Sequence, residues 1–258
     1  MTLLHAILLG IVEGISEFLP ISSTAHLILA SSLLRIPASE FLKSFEISIQ
    51  LGAILAVVVL YAKAMVRRFD VWLRVLAAFI PTAVLGLLFY HIIKNYLMES
   101  IPVILAALLL GGIALIVFEM LHREGADSAD DLSKITYRQA VAIGVFQSLA
   151  FVPGVSRAAA TIVGGLLLGI RRKTIVEFSF LLAVPTMAAA VALDLTETAF
   201  LFTPQEWILL GVGLAVAFFV ALLSIAWLLR FIQRRSFIPF GWYRIVIAVV
   251  FALLYFRV

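Results

Sequence analysis

The sequence predicts an all-α integral membrane protein, from its composition and from the spacing of its apolar segments. Of its 258 residues, 64% are hydrophobic and only 13% are charged, which is about half the roughly 25% charge of a soluble domain. So few charges cannot cover a globular surface in water, which excludes a cytosolic enzyme, a disordered chain and a nucleic-acid-binding protein. The absence of cysteine excludes disulfides, thiolate metal sites and cysteine nucleophiles.

Two apolar stretches, 3–35 and 139–170, are interrupted near the middle by proline and polar residues, so each half is too short to span. Non-helical backbone is tolerated at membrane depth only where protein or water surrounds it. We therefore predict two re-entrant helix-loop-helix hairpins. Six other runs reach about the 20 residues that a transmembrane helix needs, and they cover 44–62, 75–93, 101–121, 175–193, 207–229 and 237–256.

The order of hairpin and three spans occurs twice, which indicates a duplication within a single membrane domain. Residues 10–14 align with 144–148, and after a one-residue slip 19–23 align with 152–156, which places Ser23 over Ser156. Because each repeat crosses the membrane three times, we expect the second to be inverted relative to the first. Repeat one covers about 1–121 and repeat two about 136–258, joined by a cytoplasmic loop at 122–135.

Basic residues predict the orientation of these elements. Cytoplasmic loops carry an excess of lysine and arginine, so we assign the richer face to the cytoplasm and expect both termini, and the first hairpin, on the outer side. Glu119 and Arg244 are expected to be interfacial anchors and topology determinants. The predicted cytoplasmic face collects Lys63, Arg67, Arg68, Arg74, Arg123, Lys134, Arg138, Arg171, Arg172, Lys173, Arg230, Arg234 and Arg235, against Arg35, Lys43, Lys94 and Arg257 outside.

Glu13 and Glu17 are four residues apart in the first hairpin, and therefore lie on one helix face. Each ionised carboxylate at mid-membrane costs roughly 2.5–3.5 kcal/mol even on a lenient scale. A divalent cation, Mg²⁺ or Ca²⁺, would offset this cost, since both ions take oxygen ligands. The alternative is a structural ion pair shared with Arg157.

Three consecutive hydroxyl residues, Ser22, Ser23 and Thr24, follow Pro20 at the predicted turn of the first hairpin. Serine and threonine suit the cap of the returning helix. His26 follows Ser23 by three residues and could deprotonate it or protonate a leaving group. A purely structural cap is the alternative.

The second hairpin repeats this arrangement with Gly154 at the turn, Ser156 as the cap and Arg157 in the first helical turn. Arginine there opposes the helix dipole. Its position is explained by an anion between the two hairpins, since helix N-termini and a guanidinium both suit phosphate. A salt bridge from Arg157 to Glu13 or Glu17 is the alternative.

These motifs resemble the two signature regions of the bacterial undecaprenyl-diphosphatase family, the membrane phosphatases tied to bacitracin resistance. The resemblance covers essentially the whole chain, although this sequence has Ala158 where the family usually has serine after the arginine. The residues that carry it are Glu13 and Glu17, the run Phe18 to His26, and Pro153 to Arg157 with Thr161; further matching stretches are 45–52, 136–140, 177–185 and 236–240.

The resemblance implies a divalent-metal-dependent phosphatase that converts undecaprenyl diphosphate to the monophosphate, at a site open to the periplasmic side of the bacterial inner membrane. This activity recycles the carrier lipid for peptidoglycan and other envelope polymers. With the motifs above, it assigns Ser23, His26, Glu17 and Arg157 as catalytic, Glu13 and Glu17 as metal ligands, and Arg157, Ser156, Thr24, Ser22 and Thr161 as phosphate-binding residues.

Two mechanisms and one rival function remain open at the level of sequence. Either Ser23 attacks phosphorus, or a metal-bound water attacks while Ser23 orients it. The rival is a lipid flippase or secondary transporter, because inverted repeats with broken helices and a midplane site are also typical of transporters. Small-residue helix faces such as Gly111-Gly112 and Gly164-Gly165 provide packing sites and would permit a homodimer.

Overall fold

The computed structural model describes residues 1–92, 100–125 and 128–255, without the side chains of 64–67 and 90–92. Almost all of this part is α-helical, and the sole β-pairing within it is an isolated bridge between Ala129 and Ile170. The predicted all-α fold class is therefore confirmed. Some positions used in the predictions lie outside the described residues: Lys94, Arg257 and positions 93, 126, 127 and 256.

The two predicted hairpins form as helix-turn-helix units. The first consists of α1, Leu3–Ser16, and α2, Ser23–Leu33, and the second of α7, Tyr137–Ser148, and α8, Arg157–Leu167. At 1.5 Å per residue, the 14 residues of α1 extend about 21 Å, which is short of the roughly 30 Å hydrocarbon core. The other three helices are shorter still, so no single helix of either hairpin could span a membrane, as the sequence predicts.

Within the described residues, six helical segments are long and apolar enough to cross a membrane, and they coincide with the six predicted spans. The first is divided at Ile49 into α3 and α4, and its helical part begins at Glu40 rather than at residue 44. The remaining bounds are α3, Glu40–Ser48; α4, Gln50–Arg67; α5, Phe69–Ile92; α6, Ile101–Leu121; α9, Arg172–Thr198; α10, Pro204–Phe231; and α11, Ile238–Tyr255.

Large apolar side chains cover the outer faces of the long helices, where a soluble protein would carry charges. Leu88 on α5 is 71% exposed and Leu223 on α10 is 74% exposed. Continuous exposed apolar surface of this kind identifies a face that lies against lipid. The chain is therefore a multi-pass membrane protein.

Each hairpin packs against a long helix of the other half of the chain. Helix α1 lies on α10, and α7 lies on α5. Glycines permit both crossings, because a Cβ at Gly14 would lie 2.7 Å from the carbonyl oxygen of Ala217, and one at Gly144 would lie 1.9 Å from that of Ala78. This reciprocal packing brings the turns of the two hairpins together, while the inverted orientation of the repeats stays a prediction.

Two charged residues expected to be interfacial anchors have buried side chains. Glu119 accepts two hydrogen bonds from Arg172, at 2.8 and 3.2 Å, with 4% of its side chain exposed. Arg244 is 0% exposed, because a small-residue face on α6 makes room for it: a Cβ at Gly111 would lie 2.0 Å from its Nη2. The anchor prediction was wrong for Arg244, whereas for Glu119, two residues before the end of α6, it stays a prediction. Gly111-Gly112 and Gly164-Gly165 do form the predicted packing sites.

Candidate active site

The turns of both hairpins end in the same backbone conformation. Ser22 and Ser156 have φ of 73° and 77°, a region that non-glycine residues adopt at a cost of order 1–3 kcal/mol, typically at functional sites. Each caps the following helix, since Ser22 Oγ accepts from the Ala25 amide and Ser156 Oγ from the Ala159 amide. The backbone therefore requires no slip between the repeats, and Ser23 corresponds to Arg157 rather than to Ser156.

Side chains from the two hairpins form one hydrogen-bonded chain. Ser23 Oγ donates to Glu17 Oε2 at 2.5 Å, and Arg157 Nη2 donates to Glu17 Oε1 at 2.8 Å. All three residues are less than 9% exposed. The salt bridge from Arg157 to Glu17, which was the alternative to an anion site, therefore forms. The anion site between the two hairpins stays a prediction.

A serine in the middle of α9 fixes the orientation of Arg157. Arg157 Nη1 donates to the carbonyl and hydroxyl oxygens of Ser179, at 2.8 and 3.0 Å. Thr161 lies one turn after Arg157, with its hydroxyl 2.7 Å from Ser179 Oγ. Thr161 therefore contacts the serine that orients Arg157. It is not among the residues that line the cavity described below, where the predicted phosphate would bind. The sequence analysis missed Ser179, whose signal is a lone hydroxyl within an apolar run.

His26 lies on α2 with both ring nitrogens engaged by groups other than Ser23. Its Nδ1 is 2.7 Å from the carbonyl oxygen of Ser22, and its Nε2 is 3.0 Å from the Tyr243 hydroxyl. The two rings also stack, with centroids 5.5 Å apart. The predicted base His26 therefore has no hydrogen bond to Ser23, whose hydroxyl donates to the carboxylate of Glu17 instead.

Glu13 is fully buried one turn before Glu17, and neither of its carboxylate oxygens has a hydrogen-bond partner among the residues that the structure describes. A buried carboxylate without a partner carries a large desolvation cost. An oxygen-liganded divalent cation beside Glu13 and Glu17 would relieve it, so these residues fit the predicted Mg²⁺ or Ca²⁺. The described residues contain no group of three or more His, Cys, Asp or Glu that could hold a metal, so substrate or water oxygens would complete the coordination.

A cavity of about 190 Å³ opens over this chain of residues. That volume exceeds the 150 Å³ of an engineered cavity that accepts benzene, so a phosphate group with some water fits. Gln147, which lines the cavity, donates to the hydroxyls of Thr82 and Thr186, and its Oε1 has no partner within the described part of the chain. The polar residues that line the cavity include Glu17, Ser22, Ser23, Thr24, Gln50, Thr82, Gln147, Ser156, Arg157 and Thr186.

The sequence matches one protein family over most of its length. Residues 6–250 match a protein family described as "Bacitracin resistance protein BacA". The chain is similar to proteins named undecaprenyl-diphosphatase from Aquifex aeolicus, at 50% identity over 98% of both chains; from Sulfurihydrogenibium sp., at 52% over 99% of this chain and 100% of the relative; and from Wolinella succinogenes, at 48% over 97% of both.

Proposed function

The chain belongs to the bacitracin resistance protein BacA family, and we propose that it is an integral-membrane phosphatase acting on undecaprenyl diphosphate. Its products are undecaprenyl phosphate and inorganic phosphate. Relatives at about 50% identity over nearly their whole length are named for this activity. The observation that carries the proposal is the contact of Glu17 with both Ser23 and Arg157, since it joins a nucleophile, a base and a phosphate-binding cation.

Substrate binding divides between lipid and the cavity. The prenyl tail stays in the bilayer, and the diphosphate reaches the two hairpin turns. The guanidinium of Arg157 and the N-termini of α2 and α8 hold phosphate oxygens. Ser22, Thr24 and Ser156 line the same cavity and bind the remaining oxygens.

Ser23 attacks the terminal phosphorus, and its proton passes to Glu17 Oε2, with which it already shares a hydrogen bond. The bond from phosphorus to the bridging oxygen breaks, and undecaprenyl phosphate leaves with the proton from Glu17. Glu17 then deprotonates a water that attacks the phosphorus of the phosphoserine. The bond from phosphorus to Ser23 Oγ breaks, the proton on Glu17 returns to Ser23, and inorganic phosphate leaves. Most of the catalysis comes from positioning and charge stabilisation, as in other phosphoryl transfers. A divalent cation bound by Glu13 and Glu17 would neutralise phosphate charge.

The experiment is a phosphate-release assay on purified protein in detergent, with undecaprenyl diphosphate as substrate and Mg²⁺ or Ca²⁺ titrated. We expect release by the wild type and a loss of about 10²–10⁴-fold in Glu17→Gln, the usual contribution of a general base. Arg157→Ala should also be inactive, whereas Arg138→Ala on the exposed surface of α7 should match the wild type. Absence of release, together with substrate-dependent transport into vesicles, would instead support the flippase.

In the cell, we place the protein in the bacterial inner membrane with both termini and the cavity on the periplasmic side. The activity there recycles the carrier lipid for peptidoglycan synthesis and confers bacitracin resistance. Because the chain has no cysteine, single cysteines at Thr2 and Lys134 can report this orientation. A reagent that does not cross membranes should label Thr2→Cys in intact cells and Lys134→Cys only after lysis; the reverse pattern would contradict it. Cross-linking in membranes would test a homodimer.

A further inference from the structure

Arg244 on α11 is fully buried and donates hydrogen bonds only to backbone carbonyls among the described residues. From the turn of the first hairpin it binds Pro20, and from the turn of the second it binds Gly154 and Val155. Two further carbonyls belong to α6. The distances are 3.2 Å to Pro20, 2.7 Å to Gly154, 3.0 Å to Val155, 3.1 Å to Ala107 and 3.4 Å to Leu108.

No carboxylate pairs with Arg244 in the part of the chain that the structure describes. Buried arginines are normally paired with an anion, because an isolated buried charge is costly. The planar guanidinium has five N–H donors, and five carbonyls satisfy it here. Its hydrogen bonds are therefore complete while its positive charge remains uncompensated.

Three of the carbonyls that Arg244 binds lie two or three positions before Ser23 or Arg157 in the chain. Pro20 precedes Ser23 by three positions, and Val155 precedes Arg157 by two. One side chain thus fixes the distance between the turn that carries the nucleophile and the turn that carries the phosphate-binding cation. The preceding residue, Tyr243, has its hydroxyl 3.0 Å from Nε2 of His26. Helix α11 therefore makes hydrogen bonds to the first hairpin from two consecutive residues.

We propose that Arg244 is a positioning residue that ties the two hairpin turns together and places a positive charge behind the diphosphate. It makes no contact with Ser23, Glu17 or Arg157, so it acts through the turns. The inference about catalysis rests on the proposed phosphatase function, whereas the tie between the turns is a structural statement that can be tested separately.

Kinetics separate the two roles of Arg244. Arg244→Lys keeps the charge but cannot reach five carbonyls, so kcat should fall about 100-fold, the cost of a misplacement of about 1 Å, with KM little changed. Arg244→Met also removes the charge, and should lower kcat similarly and raise KM. A variant that only unfolds would lower the fraction of active enzyme, and would therefore lower the apparent kcat without the difference in KM expected between Arg244→Lys and Arg244→Met. Arg138→Met is the matched exposed control.

Gly111 offers a second perturbation that leaves Arg244 itself intact. A Cβ at Gly111 would lie 2.0 Å from Nη2 of Arg244, so Gly111→Ala should push the guanidinium off its carbonyls and lower kcat as Arg244→Lys does. Gly211→Ala on α10 is the control, because a Cβ there meets no atom within 4 Å. This variant also tests the proposal if Arg244→Met fails to fold.

The distance between the turns can be measured without any activity. Cysteines introduced at Ile15 and Leu149, both exposed and just before the two turns, can carry spin labels in this cysteine-free chain. We expect one narrow distance distribution in the wild type and a broader or shifted one in Arg244→Lys and Gly111→Ala. Unchanged distributions with wild-type kcat would overturn the proposal. If the distances differ between the wild type and the variants but the wild type releases no phosphate, the link that Arg244 forms between the two turns is confirmed and the proposed function is wrong.

Discussion

The hydroxyl of Ser23 lies 2.5 Å from Glu17 Oε2, and the other oxygen of the same carboxylate accepts from Arg157 at 2.8 Å. One carboxylate therefore orients both the Ser23 hydroxyl, which is the proposed nucleophile, and the Arg157 guanidinium of the second hairpin. An anion that binds Arg157 must compete with Glu17 for the guanidinium. Substrate binding would loosen that ion pair and leave Glu17 free to accept the Ser23 proton.

If Ser23 is the nucleophile, Ser23→Ala should reduce phosphate release by at least about 10³-fold, as loss of a nucleophile does in other hydrolases. Rapid quenching of the wild type with labelled diphosphate should trap a phosphoserine. Ser148→Ala is the control, since that hydroxyl donates to the Gly144 carbonyl and does not line the cavity. Full activity in Ser23→Ala would assign the attack to water.

The hydrogen bond between His26 and Tyr243 predicts that the two side chains act as one unit. In a double-mutant cycle of His26→Ala and Tyr243→Phe, the loss of kcat/KM should be non-additive, with a coupling of about 0.5–3 kcal/mol. The measurement is the phosphate-release assay on the wild type, both single variants and the double variant. Strict additivity would show that the 3.0 Å contact has no role in the reaction.

Glu13, buried without a partner, should make the folded protein sensitive to divalent cations. Ligands that bind only the folded state raise its stability, so Mg²⁺ or Ca²⁺ should raise the Tm of the wild type in detergent. Glu13→Gln removes a charged ligand and should lose most of this response. Glu40→Gln, at an exposed position, should respond as the wild type does, and an undiminished response in Glu13→Gln would place the cation elsewhere.

The Asp131 carboxylate, in the loop before α7, should contribute to acid sensitivity. Hydrogen bonds from Arg68, and then from Ser133, hold the pKa of Asp131 below its ordinary value. A lowered folded-state pKa stabilises the fold above the unfolded value of about 3.9, and this contribution is lost as the pH falls through the folded pKa. The Tm of the wild type should therefore fall below about pH 4.

Asp131→Asn should show a smaller fall in Tm over the same pH range. Both side chains of the pair are partly exposed, at 35% for Arg68 and 43% for Asp131, so the difference between wild type and variant should be modest and should shrink at high salt. Equal acid sensitivity in the two proteins at low salt would refute the assignment.

The close crossing of α7 and α5 predicts a strong effect at Gly144. Gly144→Ala places a methyl group against the Ala78 carbonyl, and relieving that clash should cost about 1–3 kcal/mol, as overpacking usually does. Gly211→Ala faces open space and should be neutral or slightly stabilising, since alanine is the better helix former. Thermal unfolding of both variants in detergent provides the comparison.

The sequence predicted those parts of the fold that depend on local length and composition. Long apolar runs identified the spans, and interrupted runs identified the hairpins, because bilayer thickness sets the length a helix needs. Charge within those interruptions identified Glu13, Glu17 and Arg157, since intramembrane charges are rare and usually functional. The structure brings Glu17, Ser23 and Arg157 into one hydrogen-bonded chain.

Arg244 shows why the remainder could not be predicted. Its partners are backbone carbonyl groups, which every residue has, so no sequence pattern predicts them. A single arginine within an apolar run can also be interpreted as an interfacial anchor, because its long side chain can reach the membrane surface. The alignment of the repeats misled in a similar way, because it matched Ser23 to Ser156 by residue type, whereas backbone conformation pairs Ser22 with Ser156.

The packing of the first hairpin on α10 has a consequence for biosynthesis. Helix α10 begins at Pro204, 201 residues after α1 begins at Leu3. At about 5–20 residues per second, a ribosome needs roughly 10 to 40 s to make that length. During this interval the nascent hairpin, with its two glutamates, lacks α10, the helix on which α1 finally packs. The insertion machinery or nearby lipid must shelter it until the second half of the chain arrives.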